Sequence, residues 1–286
     1  EAAVLHARGP EAGLYRLLLQ LAVAYLHLQR GNLRGARKML LRLRRLSQDG
    51  AAYRRLGQVW LEGDHLCRAW RERGGAAAQA VLSEAAWQDT RLRELAAGAA
   101  KVVVVPAPLF AGFSALESPA AVGFVIDLPP PARVLPHVPS VVLDRLQDPG
   151  NVGSVLRSAA AFGVAQVLAL KGTVALWSPK VLRAGMGAHF GLRLAEGLDE
   201  DALAALAVPL VATSSHAGDE LPRAALPWPC AWVLGHEGQG VAHALLARCA
   251  FQLRIPQPGG EESLNVAAAA AVCLYESARR RLMDGP

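Results

Sequence analysis

The stretch VVLDRLQDPGNVGSVLRSAAAFGVAQVLAL, residues 141–170, decides the fold predicted for this chain. It begins and ends with short apolar runs, at 141–146 and 166–170, which are typical of buried strands. The residues between them, from about Val152, have the pattern of a helix. A strand, a helix and a second strand in this order form the repeating unit of a parallel sheet.

The same alternation continues towards the C-terminus. Apolar runs at 209–214, 231–237 and 251–256 predict three more strands. Helices are predicted to begin near three residues, Pro179, Glu200 and Val241, and a last helix should run from about Leu264 to Arg281. Because the strands are apolar throughout, we expect helices on both faces of the sheet and therefore an α/β fold.

The N-terminal half has a different organisation. Residues 12–46 have helical periodicity with a break at 30–32, and we interpret residues 1–46 as a basic helical extension. Residues 47–128 mix strand and helix patterns, which predicts a small α/β domain. Five prolines lie between 129 and 139, a density that neither a helix nor a central strand tolerates. We therefore predict a linker there and a second domain at 140–286.

Composition and charge narrow the class of protein. Hydrophobic residues make up 52% and charged residues 19% of the 286 residues, which excludes a disordered chain. The net charge is +6, and the segment from Arg30 to Arg73 alone holds twelve basic and four acidic residues. One basic module beside a near-neutral one favours an anionic partner such as nucleic acid, although solvated helix faces would give the same count.

Several classes of site are disfavoured. The four cysteines are scattered without a CxxC pair, which predicts reduced thiols rather than a disulfide framework or a zinc site. The apolar stretch from Leu14 to Leu28 is interrupted by polar residues and is short for a membrane span. No signal peptide is evident, so we expect a cytoplasmic protein. From the cysteine pattern and the short apolar stretch, we also expect no metal and no membrane partner.

Polar residues follow the first strand of the predicted sheet. Asn151 lies where that strand turns into a helix, and Arg157 follows six residues later. Both can face the carboxyl edge of the sheet, where open α/β sheets bind ligands. The alternative is that Asn151 only caps the helix and Arg157 is a surface cation.

The stretch WVLGHEGQG, residues 232–240, places glycines and Glu237 after a buried strand. It lacks the GxGxxG pattern of dinucleotide-binding loops and follows a late strand of the domain. The stretch GMGAHFG, residues 185–191, lacks the pattern as well. Both observations argue against a dinucleotide site. We interpret His189 and His216 as ordinary loop residues. A third stretch, IPQPGGEESLNVAAAAAVCLYE at 255–276, is a loop followed by a helix, and its backbone could hold an adenine.

Taken together and in order, NVGSVLRSAAAFG, LGHEGQG and IPQPGGEESLNVAAAAAVCLYE resemble the three signature motifs of the SpoU (TrmH-type) RNA ribose methyltransferases of the SPOUT superfamily. The resemblance covers about residues 138–286. Residues 47–128 resemble the small ribosomal-protein-like RNA-binding domain that often precedes the catalytic domain in rRNA-modifying members.

The resemblance implies a fold, a cofactor and a set of site residues. The catalytic domain would be a parallel sheet with a deep trefoil knot, an exception to the rule against knots, and would form a homodimer. The cofactor would be S-adenosyl-L-methionine, bound by Thr213, Gly235, Ile255 and Leu264. Catalysis and RNA contact would involve Asn151, Arg157, Glu237, Ser263 and Asn265.

The resemblance also suggests a mechanism. The sulfonium methyl group is already electrophilic, so the protein must align it with the 2′-hydroxyl, and a metal is not required. A guanidinium is a poor base, so we expect an electrostatic role for Arg157. Glu237 would hold Arg157 or Asn151 in place, or would only cap the next helix. The family usually continues Asn-Val-Ser where this chain has Ala267, and we expect activity to survive that loss.

Three functions remain open from the sequence. The preceding small domain favours rRNA as the substrate, by analogy with family members that have the same arrangement. A tRNA ribose methyltransferase is an alternative within the same enzyme class. A non-catalytic RNA-binding or ribosome-assembly protein on the same scaffold is the third, and failure to bind S-adenosylmethionine would favour it.

Overall fold

The structure, a computed structural model, describes residues 33–214, 219–259 and 263–283. The chain divides into two compact units, with the main boundary between Pro129 and Pro130, and the short segment Trp177–Pro179 belongs to the first unit. We call them the small unit and the large unit. The proline-rich residues between 128 and 139 form no helix or strand.

The described part of the small unit has a four-stranded sheet and six helices. Its strands are β1 (Gln58–Glu62), β2 (Gln79–Ser83), β3 (Val102–Val105) and β4 (Val122–Asp127). Its helices are α1 (Leu33–Gln48), α2 (Ala52–Leu56), α3 (Asp64–Glu72), α4 (Glu84–Gln88), α5 (Thr90–Ala96) and α6 (Ala107–Phe113). The sheet order is β1-β4-β2-β3, in which only β2 and β3 pair in parallel.

Helix α1 belongs to the core of the small unit. Its Leu43 and Leu46 are buried in one cluster with Trp60, Phe110 and Phe113. The predicted boundary after residue 46 therefore differs from the structure, because the helix that contains this position packs as part of the small unit. The first helix of the predicted pair lies outside the described residues. The sequence pattern missed this packing because the many arginines of α1 hide its narrow apolar stripe.

The large unit is an α/β fold, as predicted. Its described residues form seven strands: β5 (Ser140–Leu143), β6 (Gln166–Leu170), β7 (Arg193–Leu198), β8 (Leu210–Thr213), β9 (Asp219–Glu220), β10 (Ala231–Leu234) and β11 (Phe251–Arg254). All neighbours pair in parallel, in the order β7-β6-β5-β10-β8-β11-β9. The α-helices are α7 (Pro149–Ala161), α8 (Pro179–Gly185), α9 (His243–Leu246) and α10 (Val266–Met283), and two 3-10 helices lie at Ala188–Gly191 and Glu200–Ala205.

The long C-terminal helix α10 is fixed to the centre of the sheet. Cys273 and Leu274 are buried, and the indole N–H of Trp232 on β10 donates to Ser277 Oγ at 3.0 Å. A buried indole without a partner would cost folding free energy, so this bond specifies how α10 lies on the sheet. The helix therefore begins at a defined place, next to the ends of the central strands.

The prediction for His189 is wrong. Its side chain is buried, its Nε2 lies 2.9 Å from the backbone oxygen of Leu176, and burial lowers its pKa to about 4. A Cβ on Gly185 would lie 2.7 Å from the imidazole, so this glycine makes room for the ring. The first glycine of GMGAHFG, Gly185, thus serves packing. His216 lies outside the described residues.

All four cysteines are free thiols. Burial raises the pKa of Cys230 to about 12 and that of Cys249 to about 11, so both are protonated at neutral pH. Within the described ranges, no helix is both long and apolar enough to cross a membrane.

Candidate active site

The candidate active site lies at the carboxyl edge of the large unit's sheet, where β5 and β10 end side by side. Leu143 pairs with Leu234 at the last position of the register, so the two following loops leave the sheet together. Both strands end earlier than predicted, and the residues that follow them carry polar side chains instead of extending the sheet. Ligands bind at this edge in open α/β sheets.

Glu237, in the loop after β10, accepts three hydrogen bonds from the loop after β5 and from α7. Its Oε2 accepts from the backbone N–H of Gln147 (3.1 Å), and its Oε1 accepts from the backbone N–H of Asp148 (3.0 Å) and from Asn151 Nδ2 (3.1 Å). Burial raises the pKa of Glu237, but these hydrogen bonds outweigh burial and lower the pKa to about 2. Glu237 is therefore a carboxylate at neutral pH, and it holds Asn151 rather than capping a helix.

Asn265 and Asn151 extend this contact into a chain of hydrogen bonds, which we call the amide relay (Asn265, Asn151 and Glu237). Asn265 Oδ1 accepts from the backbone N–H groups of Ala267 (2.9 Å) and Ala268 (3.3 Å), at the start of α10. Asn265 Nδ2 donates to Asn151 Oδ1 at 3.0 Å. Backbone N–H groups can only donate and a carboxylate can only accept, so the two ends of the relay fix the orientation of both amides.

The relay leaves hydrogen-bonding capacity for a substrate. Each amide nitrogen carries two N–H groups, and each uses one of them within the relay. The second N–H of Asn151 and of Asn265 has no acceptor among the described residues. The site therefore presents two oriented donors, which suit a hydroxyl oxygen or a developing negative charge.

A second set of contacts ties the loop after β10 to the end of β5. The carboxylate of Asp144, 2% exposed, accepts from the Arg145 guanidinium through both oxygens (2.8 and 3.0 Å) and from the backbone N–H of Ala242 (2.7 Å). Arg145 also donates to Gln239 Oε1 at 3.0 Å. Its φ of 60° is a left-handed conformation that costs roughly 1–3 kcal/mol in such a residue. We call these contacts the Asp144–Arg145 clasp.

Gly235 and His236 shape the turn that carries Glu237. A Cβ on Gly235 would lie 2.1 Å from the backbone nitrogen of Val241, so only glycine fits there. His236 Nδ1 accepts from the backbone N–H groups of Gly238 (3.0 Å) and Gln239 (3.3 Å). These contacts make a tight turn that presents Glu237 to α7.

Of the five residues predicted for catalysis, the structure brings three together, in the amide relay. Arg157 is exposed on α7 and Ser263 is exposed before α10, and neither forms a side-chain hydrogen bond or ion pair with the described residues. The interpretation of Asn151 as the helix cap is wrong, because Asp148 Oδ1 caps α7 by accepting from the backbone N–H of Asn151 at 2.7 Å.

The predicted cofactor residues lie at or near strand ends of the same sheet. Thr213 is the last residue of β8, Gly235 follows β10, and Ile255 follows β11. Leu264 lies just before α10 and is 41% exposed. In the loop after β11, Gln257 Oε1 is buried and has no hydrogen-bond partner among the described residues. Buried polar atoms are normally paired, so this oxygen fits a site that a ligand donor completes.

Sequence reasoning missed Asp144, Arg145 and Asp148. A charge at the end of an apolar strand was the available signal for Asp144. Asp-Pro before a helical pattern was the signal for Asp148 as a cap, because proline is favoured at the first helical position. Nothing in the sequence marks Arg145 as left-handed, since that conformation is imposed by its partners.

Comparison with known proteins decides the family. Residues 139–275 match the SpoU rRNA Methylase family. A protein of Synechocystis named an uncharacterised tRNA/rRNA methyltransferase is 31% identical over 257 residues, which cover 85% of this chain and 91% of that protein. This chain belongs to the SpoU family. The resemblance of its three motifs is thereby confirmed.

Other relatives and solved structures agree with membership of the SpoU family. The 23S rRNA (guanosine(2553)-2′-O)-methyltransferase of Bacillus subtilis is 29% identical over 75% of this chain and 86% of its own length. A TrmH-family RNA methyltransferase structure from Porphyromonas gingivalis has a TM-score of 0.74 and 31% identity, covering 85% of this chain and 97% of that one. An AdoMet-bound rRNA methyltransferase from Sinorhizobium meliloti has a TM-score of 0.73 and 26% identity, covering 85% and 94%.

The N-terminal end has a separate match. Residues 3–39 match a domain of unknown function, DUF309. Most of these residues precede the described part of the chain, and the match ends within α1.

Proposed function

We propose that this chain uses S-adenosyl-L-methionine to methylate the 2′-hydroxyl of a ribose in rRNA. The observation that carries the proposal is the amide relay, which orients two amide groups at the ligand-binding edge of a SpoU-family sheet. The choice of rRNA rests on relatives named as 23S rRNA 2′-O-methyltransferases, such as the Bacillus subtilis enzyme.

The loop after β11 and the turn after β10 would hold the cofactor. We assign contacts to Thr213, Gly235, Ile255 and Leu264, and we add Gln257, whose buried amide oxygen fits an N–H donor such as those of adenine. When bound, S-adenosylmethionine supplies a methyl group made electrophilic by its sulfonium.

Asn151 and Asn265 would hold the ribose. Their remaining N–H groups can donate to the oxygen that develops negative charge as its proton leaves, and a preorganised donor of this kind can contribute roughly 3–4 kcal/mol to a transition state. Glu237 acts through Asn151, since a carboxylate with a pKa of about 2 is a weak base. Arg157 and Ser263 would contact the RNA or the developing charge.

We also propose a homodimer formed through α10. One stripe of the helix, about 100° wide at 3.6 residues per turn, carries Val272 (40% exposed), Tyr275 (54%), Leu282 (83%) and Met283 (73%). An exposed apolar stripe of this kind is typical of a protein interface. The proposal also includes a trefoil knot in the large unit, an RNA-binding role for the small unit and a cytoplasmic location.

The test is methyl transfer from labelled S-adenosylmethionine to rRNA by the purified protein. We expect transfer by the wild type, a large loss in Asn265→Ala, and no loss in Gln88→Ala, an exposed amide of the small unit. Transfer to tRNA but not to rRNA would change the substrate assignment. Absence of cofactor binding in calorimetry would contradict the enzymatic function.

A further inference from the structure

Helix α1 presents a row of cations to solvent, and the amide relay makes no use of them. Five of them are Arg37, Lys38, Arg42, Arg44 and Arg45, which we call the basic face. We propose that the basic face binds the phosphate backbone of structured RNA and so gives the small unit its own RNA contact. The inference rests on the proposed function, because it takes RNA as the partner.

The five side chains share one side of the helix. At 3.6 residues per turn they fall within an arc of roughly 160°, and Leu43 and Leu46 lie on the opposite arc. Those two leucines are buried in the core of the small unit, so the basic face is directed to solvent. From Arg37 to Arg45 the face extends about 12 Å along the helix axis, a length over which a nucleic-acid duplex carries several phosphates.

In the part of the chain that the structure describes, carboxylates do not neutralise these charges. Within the described residues, none of the five forms an ion pair, and the 16 residues of α1 include no acidic side chain. The contacts of Arg42 with Gln58 and of Arg44 with Gln48 (3.2 Å) involve neutral amides. Some cations elsewhere on the surface have acidic partners: Arg55 pairs with Asp49, Arg91 with Asp89, and Arg279 with Glu276.

The stability of the helix does not require this charge pattern. Lys38 and Arg42, four residues apart, are like charges on neighbouring turns, and so are Arg42 and Arg45, three apart; such pairs destabilise a helix. Burial of Leu43 and Leu46 keeps the helix folded in spite of this repulsion, and a bound polyanion would relieve it.

The chemistry of the basic face suits contacts with phosphate groups. Four of the five cations are arginines, whose planar guanidinium groups match phosphate oxygens in a bidentate arrangement. Phosphate contacts position a nucleic acid without reading its sequence. We therefore expect the basic face to add affinity that depends strongly on salt and weakly on sequence, while the selection of the methylated nucleotide belongs to the large unit.

The experiment compares two triple variants of the full chain that lower the net charge equally, from +6 to +3. The first is Arg37→Gln, Lys38→Gln, Arg45→Gln, which removes three side chains without hydrogen bonds to the described residues. The matched control is Lys101→Gln, Arg133→Gln, Arg193→Gln, three exposed cations outside α1. Fluorescence anisotropy measures binding of a labelled RNA hairpin with a double-stranded stem, without S-adenosylmethionine, over a series of KCl concentrations.

For the basic-face variant we expect binding at least tenfold weaker at low salt. The slope of log affinity against log salt should become shallower by roughly 2–3, because each lost phosphate contact removes a little under one unit. The control should keep the wild-type slope. Equal changes in both variants, or none in the first, would overturn the proposal. So would a variant that loses binding to phosphatidylserine vesicles while its RNA binding stays at the wild-type level.

Failure of the proposed function is distinguishable from failure of this inference. Methyl transfer is measured separately, and the hairpin assay contains no methyl donor. A wild type that transfers no methyl group, together with a basic-face variant that loses RNA affinity, would contradict the enzymatic proposal and support the basic face. Circular dichroism melts of both variants check that α1 remains folded.

Discussion

Glu237→Gln tests whether Glu237 acts by holding Asn151, because the substitution changes the hydrogen bonds of the side chain and keeps its size. Gln has the same shape as Glu, but it replaces one acceptor oxygen by an NH₂ group. Because both oxygens of Glu237 accept N–H donors, either orientation of the new amide sets its NH₂ against a donor. At least one hydrogen bond to a charged acceptor is lost, a loss of about 1.5–3 kcal/mol.

The position of Glu237 puts the effect at the lower end of that range, since the side chain is exposed. If the free energy lost is the energy that orients Asn151, a value of about 1.5 kcal/mol corresponds to a decrease in kcat of roughly tenfold. The Kd of S-adenosylmethionine should change little, because Glu237 is assigned to Asn151 and not to the cofactor. Single-turnover methyl transfer at saturating RNA, with calorimetry of cofactor binding, measures both.

The pH dependence of stability provides an independent check. The folded-state pKa of Glu237, about 2, is below its ordinary value of 4.5, so its ionisation stabilises the fold above pH 4.5, and this contribution is lost as the pH falls towards 2. The difference in unfolding free energy between wild type and Glu237→Gln should be constant above pH 5 and should shrink below it. His189, with a pKa of about 4, titrates in both proteins and cancels in the difference. Wild-type kcat in Glu237→Gln, or a stability difference that is unchanged at pH 3, would refute the reasoning.

Three further predictions concern the residues around the relay and the helix α10. Arg145→Asn should lower kcat with little change in KM, because asparagine tolerates the left-handed backbone but cannot hold Gln239. Arg145→Gly should lower kcat to a similar extent. A wild-type kcat in both variants would show that the Asp144–Arg145 clasp does not contribute to catalysis. Gln257→Leu should weaken S-adenosylmethionine binding by roughly 5- to 150-fold, the equivalent of a lost buried hydrogen bond, and an unchanged Kd in calorimetry would exclude Gln257 from the site. Val272→Glu should shift the protein towards monomer in light scattering, whereas Gln88→Ala should leave the dimer intact.

The fold of the large unit could be predicted from the sequence because its strands and helices have local hydrophobic patterns. The βαβ pattern of 141–170 predicts β5, α7 and β6, and the structure contains all three. β7 (Arg193–Leu198) and β9 (Asp219–Glu220) were missed, since a half-buried edge strand and a two-residue strand have no continuous apolar run. The ends of β5, β10 and β11 were predicted two or three residues too long. After β5, the buried Leu146 continues the apolar pattern into the loop.

The candidate site was accessible only in part. The motifs identified Asn151, Glu237 and Asn265 as site residues. The three side chains meet in one relay only because β5 and β10 are neighbours in the sheet. The order of strands along the chain does not reveal that pairing. The conformation of Arg145 and the burial of Gln257 Oε1 depend on tertiary contacts and leave no local pattern. His189 was misjudged for the opposite reason, because its glycine-rich sequence is typical of a loop, whereas its ring is buried against Gly185.

Ribose methylation can be mapped in total RNA from cells with the gene, from cells without it, and from deleted cells complemented by wild type or by Asn265→Ala. One 2′-O-methylated position in rRNA should disappear without the gene, return with the wild type, and not return with Asn265→Ala. An rRNA methylation pattern identical in all four strains would contradict the proposed function.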